Sequence, residues 1–145
     1  MNQEPEVEYH PEVYQEIVNH ALKGNPGFAD KLLRDFKAYI KTGVPPSYFG
    51  KVEIYTNPPL AYAARLFHMH LALPPARFKN VNQRFRVCEM NKPQHDAALV
   101  YVQGELEEHR YSLLAVLYPD AHGMARVDHV MNRLARLAKE FRDTN

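Results

Sequence analysis

The chain has 145 residues, of which 46% are hydrophobic and 24% charged, and its formal net charge is +1. That length supports one core and makes one domain over 1–145 the expectation, while no apolar run approaches the roughly 20 residues of a membrane span. A lone cysteine, Cys88, excludes an internal disulfide and suits a reducing cytosol.

The opening MNQEPEVEYH is acidic and lacks the basic-then-apolar order of a secretory signal, so a cytoplasmic protein is expected. Residues 1–30 carry six acids against Lys23 alone, a net of −5, which leaves +6 for residues 31–145 out of the whole chain's +1. Either the two parts simply balance, or a basic body meets a polyanion while the acidic segment faces elsewhere.

Residues 6–10 read as a short strand, and Pro11 then sets the first turn of a helix over 12–22 with Val13, Ile17 and Ala21 as its apolar stripe. Gly24, Asn25, Pro26 and Gly27 break the chain. A second helix over 28–42 places Phe28, Leu32, Leu33, Phe36, Tyr39 and Ile40 on one side, with Gly43 as its C-cap. These two helices form an αα-hairpin able to cover one face of a sheet. Residues 44–59, with Pro45, Pro46, Pro58 and Pro59, read as ordered loop.

Strands are expected over 63–73, 97–103 and 111–118, with part of the basic stretch 76–92 as a further strand and 104–109 as a turn. After Pro119 and Asp120 a helical pattern runs through Val127, Val130, Met131, Leu134, Leu137, Ala138 and Phe141. The order β-α-α-β-(β)-β-β-α describes an α+β fold with an antiparallel sheet.

His68 and His70 are two apart on a strand, so both project to one face while Phe67, Met69 and Leu71 project to the other. They are either surface histidines with satisfied hydrogen bonds or groups for acid-base and phosphate work. A metal site would need at least a third ligand, and no Cys or His stands nearby to supply one. If Ala98, Val100 and Val102 join the core, Tyr101 stands on the open face beside the histidines. His122 and Arg126 are one turn apart at what reads as the head of the last helix, where free N–H groups favour an anion such as phosphate. Arg77, Lys79, Arg84 and Arg86, interleaved with Phe78 and Phe85, have the make-up of a loop that tracks single-stranded nucleic acid. Arg133 and Arg136 read as solvent-facing charges, Arg133 being a further candidate for RNA contact. Walker, dinucleotide, nucleophile-elbow and zincin motifs are absent from the sequence, and the acidic neighbour Glu89 argues against a Cys88 thiolate.

Taken in order, Asp35-Phe36, Gly43-Val44-Pro45, Phe49-Gly50, His68-Met69-His70-Leu71-Ala72, Leu99-Val100-Tyr101, Gln103-Gly104, Leu113-Leu114, Pro119, His122, Ala125-Arg126, Met131, Ala138 and Phe141-Arg142 resemble the YafO family of toxins of bacterial type II toxin-antitoxin systems. The likeness covers about 30–142. Residues 1–28 form a variable acidic segment outside it, and Cys88-Glu89-Met90-Asn91 stands where the family tends to an Arg-Thr type turn.

The resemblance implies a RelE-like fold, a small twisted antiparallel sheet with an N-terminal helical hairpin and a C-terminal helix. It implies a ribosome-dependent mRNA interferase, with the ribosome, mRNA and a cognate antitoxin protein as partners and neither cofactor nor metal. It points to His68, His70, Tyr101, His122 and Arg126 as the catalytic positions. Cleavage by 2′-OH attack on the adjacent phosphate would give the base and acid roles to two of the three histidines, charge stabilisation to Arg126 and base stacking to Tyr101. The alternatives are a ParE-like inhibitor of a protein target and an inactive relative that only binds its antitoxin.

Overall fold

The computed structural model describes residues 3–145. Five strands, β1 (Glu6–Tyr9), β2 (Phe49–Ile54), β3 (Phe67–Leu71), β4 (Ala97–Gln103) and β5 (Arg110–Leu117), form one sheet in the order β1-β5-β4-β3-β2. The sheet is mixed, which corrects the antiparallel expectation: β1 lies parallel to β5, tied on by Glu6 N–H to the His109 carbonyl and His10 N–H to the Leu113 carbonyl. An alternating pattern says which side chains share a face but not which neighbour, or which direction, a strand will take.

The helices are α1 (Tyr14–Glu16), α2 (Phe28–Thr42), α3 (Pro59–Ala63), α4 (Ala121–Met124) and α5 (Asp128–Thr144). On one face of the sheet, α2 lays Leu32 and Phe36, both fully buried, against it, and Phe36 meets the rings of Tyr101 and Tyr111 edge-on. Truncating either residue to Ala would cost about 3–5 kcal/mol. Gly43, at φ +74°, closes this helix by donating to the Tyr39 carbonyl, as expected of a left-handed C-cap. On the opposite face α5 covers β4 and β5 with Met131, Leu134, Leu137 and Ala138, and α3 packs on α5.

The first helix is not half of a hairpin layer. After α1 the chain winds one π-helical turn, Ile17–Ala21, closed by Leu22 N–H to the Ile17 carbonyl. Its apolar stripe Val13, Ile17 and Ala21 lines a groove with β5 and with Val130 and Leu134 of α5. Three further departures lie in the middle of the chain. Residues 49–54, expected as loop, form edge strand β2, whose alternation is broken by a register shift between Phe49 and Val52. The strand expected over 63–73 shrinks to β3, because Arg65 adopts a left-handed backbone (φ 56°) just after α3. The basic stretch holds no strand but a short 3-10 turn, Gln83–Phe85. Its Arg86 carbonyl accepts from Lys51 N–H, bringing the loop so close to β2 that a Cβ on Gly50 would stand 2.4 Å from that oxygen. Only glycine fits there.

Candidate active site

Residues paired directly across two strands share a face. His68 pairs with Val100 and His70 with Ala98, so both imidazoles rise on the α4 side of the sheet. The chain leaves β5 at Pro119, and α4 then swings His122 over the same ground, its ring centroid 5.6 Å from that of His70, which lies 6.0 Å from His68. These three rings, Arg126, Tyr55 and Asp96 line one hollow of about 170 Å³ floored by Ala97 and Ala98. Small residues at that end of β4 leave the space that the imidazoles border.

Each imidazole is held differently. His122 Nδ1 sits 2.8 Å from Oδ2 of Asp96, which also accepts the His122 backbone N–H at 2.9 Å. Asp96 is 1% exposed, so this carboxyl group is buried against a single partner residue. In the neutral ring, Nδ1–H donated to Asp96 leaves the lone pair on Nε2 of His122. His70 has the reverse arrangement. Its Nδ1 accepts the Cys88 backbone N–H at 2.9 Å, so the neutral ring carries its proton on Nε2. Burial, then the neighbouring His122, pushes the His70 pKa down. His68 stacks flat on Tyr55, centroids 3.9 Å apart and 14° between planes, and its Nδ1 is sealed without a partner. Burial first and His70 second lower its pKa from 6.5 to about 4, which leaves it uncharged at neutral pH.

Arg126 is exposed at the rim and pairs with no carboxylate among the described residues. The anion site expected at the helix start is not free, however. Asp96 takes the His122 N–H and the Asp120 side chain takes the Gly123 N–H, so the protein's own carboxylates occupy the donors at the head of α4. The long final helix starts only at Asp128, beyond both residues.

Tyr101 does not belong to the hollow. It pairs with Phe67 across the strands and lies 7% exposed against Phe36, on the α2 side. Placing it beside the histidines assumed that one face of the sheet is open, whereas helices cover both. Among the cations proposed for RNA contact, Arg77, Lys79 and Arg84 are exposed, with Arg84 lying over the Phe85 ring. Arg86 is spent on structure, donating to the carbonyls of Val81, Pro46 and Phe49. Arg133 is bound by Glu16 and Glu12 of the acidic leading segment, because the stripe that docks that segment onto α5 aligns the opposite charges. Cys88 is buried; burial, with the Asp96 charge adding to it, raises the thiol pKa, and Glu89 plays no part in that shift. Among the described residues no group of three or more His, Cys, Asp or Glu is placed to hold a metal ion, and no helix is long and apolar enough to cross a membrane.

Sequence reasoning missed Asp96 and Tyr55. The one signal for Asp96 was an acid at the mouth of an apolar strand; its contact with His122 bridges 26 positions and has no local spacing. Tyr55 lay in what read as loop.

The profile of the family described as "Toxin YafO, type II toxin-antitoxin system" matches residues 37–143. The chain is 33% identical over 118 residues to the mRNA interferase toxin YafO of Escherichia coli (strain K12), covering 78% of this chain and 84% of that protein. No solved structure matches. Three quarters of the sequence, with every residue of the hollow inside the matched span, therefore place this chain in the YafO family of toxins of type II toxin-antitoxin systems.

Proposed function

We propose that this chain is an mRNA interferase that cuts translated messages on the ribosome without a metal ion. The family relative's name supports an activity on mRNA, and one observation carries the chemistry: His122, aimed by a buried Asp96, shares a hollow with two more imidazoles and an unpaired guanidinium. His122 Nε2 takes the proton from a ribose 2′-OH. As the O2′–P bond forms and the P–O5′ bond breaks, charge on the phosphoryl oxygens meets Arg126 and the Nε2–H of His70. The products are a 2′,3′-cyclic phosphate and a 5′-OH end.

This division departs from a scheme in which two histidines trade base and acid roles, since His70 is locked as a neutral donor and His68 carries no charge at pH 7. Arg77, Lys79 and Arg84, exposed on the basic loop, follow a phosphate backbone, and the ribosome supplies the rest of the grip on the message. The partners are then a ribosome with its mRNA in the cytoplasm and, as in other type II systems, an antitoxin protein. A RelE-like ancestry fits the α+β sandwich.

Purified protein added to programmed ribosomes tests the reading. Cleavage inside the coding frame with cyclic-phosphate ends is expected, falling about 100-fold or more in His122→Ala and in Arg126→Ala. Arrested growth with intact messages would instead make the chain an inhibitor of a protein target.

A further inference from the structure

Resting on that reading, the reaction still needs a proton for the departing O5′. A donor must carry its proton at neutral pH, line the hollow and be free of other partners. His68 lines the hollow but is uncharged at neutral pH, with no proton to spare, and its Nδ1 is sealed from solvent. His70 Nε2–H belongs to a ring that cannot accept a second proton without losing Cys88, and giving its only one up would leave an imidazolate. Cys88 faces the Leu71 and Ala97 carbonyls.

Tyr55 meets all three conditions. It stands just beyond β2, anchored by its N–H to the Leu66 carbonyl, and its ring is clamped flat on His68. Its hydroxyl has no hydrogen-bond partner among the described residues, and it is not among the sealed polar atoms that Asp96 Oδ1 and His68 Nδ1 exemplify. Tyr9, Tyr48 and Tyr118, by contrast, spend their hydroxyls on Ala29, Asp35 and Gln94. Burial, and then the charge of Asp96, holds the phenol well above its ordinary pKa, so it keeps its proton throughout the physiological range.

We propose that Tyr55 is a further catalytic residue, the general acid that protonates the 5′-oxygen as the P–O5′ bond breaks. The proton taken from O2′ ends on His122, the one given to O5′ leaves Tyr55 as phenolate, and proton return from His122 through solvent restores both groups. Stacking on His68 fixes the angle of the phenol, which assigns His68 a positioning task rather than an acid-base one.

The experiment uses Tyr55→Phe, which keeps the stack and, because the hydroxyl has no partner among the described residues, should leave the thermal midpoint unchanged. Two short messages are presented on ribosomes: one natural, the other with sulfur replacing the bridging 5′-oxygen at the cleavage site, so that a thiolate leaves without needing a proton. Single-turnover cleavage of the natural message should fall about 100-fold in Tyr55→Phe, while the sulfur message is cut by variant and wild type at the same rate. His122→Ala should fail on both. Equal losses on the two messages, or no loss on either, would overturn the acid role while leaving the nuclease reading intact. If the wild-type protein cuts neither message, the nuclease reading falls and the inference with it.

Discussion

His68, His70 and His122 carry the same side chain and part company at the second ring nitrogen, which meets nothing, a backbone N–H and a buried carboxylate respectively. Asp96→Asn keeps the shape of the His122 contact but removes the charge that favours Nδ1–H, so the tautomer with a usable Nε2 lone pair loses its advantage. Cleavage should drop about 10²–10⁴-fold with little change in KM, by analogy with the loss when the triad Asp of a serine protease becomes Asn; an unchanged turnover number would remove Asp96 from the mechanism. His68 makes a separate prediction about stability. Its pKa is near 6.5 unfolded and about 4 folded, so as pH falls the unfolded chain takes up the proton first. Its stabilising contribution is complete above about pH 6.5 and drains away toward pH 4, amounting to about 3 kcal/mol at about 1.4 kcal/mol per unit. His68→Asn lacks this term. Urea denaturation should show the wild type losing ground to the variant between pH 7 and pH 4, and parallel pH curves would contradict the assignment.

At the level of elements, the contact between β2 and the basic loop decides how well His70 is held, since the loop that reaches Cys88 is the one that crosses Gly50 at Arg86. Gly50→Ala forces a methyl group into the Arg86 carbonyl, and backbone cannot step aside as a side chain would. The expected cost is about 1–3 kcal/mol, visible as a lower midpoint in urea, with reduced cleavage as the Cys88 N–H shifts away from His70. Wild-type behaviour in both measurements would mean that the loop rides freely over β2. The ion pairs joining Glu12 and Glu16 to Arg133 and Arg136 are exposed and count for little individually. Arg133→Ala should change stability by less than about 1 kcal/mol and leave cleavage untouched.

Over the whole molecule, the division of charge seen in the sequence resolves in part into pairing between the acidic leading segment and basic residues further along the chain. The acidic leading segment covers basic residues: Glu4 pairs with Lys41, Glu6 with Arg110, and Glu12 and Glu16 with α5. Among the described residues, the exposed cations without a carboxylate partner are Arg126, the loop residues Arg77, Lys79 and Arg84, and Lys23, Arg34, Lys37 and Arg65 elsewhere. So modest a set of free cations suits an enzyme whose substrate is presented by the ribosome. Replacing Arg77, Lys79 and Arg84 together by Ala should lower the slope of log affinity for single-stranded RNA against log salt by about 2, with thermal stability unchanged. An unaltered slope would take the loop out of RNA contact.

Local pattern was enough for the α2 and α5 faces, the central strands and the pairing of His68 with His70 on one side of a strand, because these follow from periods of 3.6 and 2 within short windows. The sequence also carried the family likeness, and with it the residues His122 and Arg126. Tertiary structure alone decided that β1 lies parallel to β5, that Tyr101 turns away under α2, and that Asp96 and Tyr55 join the hollow. It also decided which cations are already spent, Arg86 on carbonyls and Arg133 on glutamates. The reason is common to all of these. Each depends on a partner brought up from tens of residues away, and the choice among partners is made by how two covered faces and a shared edge pack together, which no local spacing encodes.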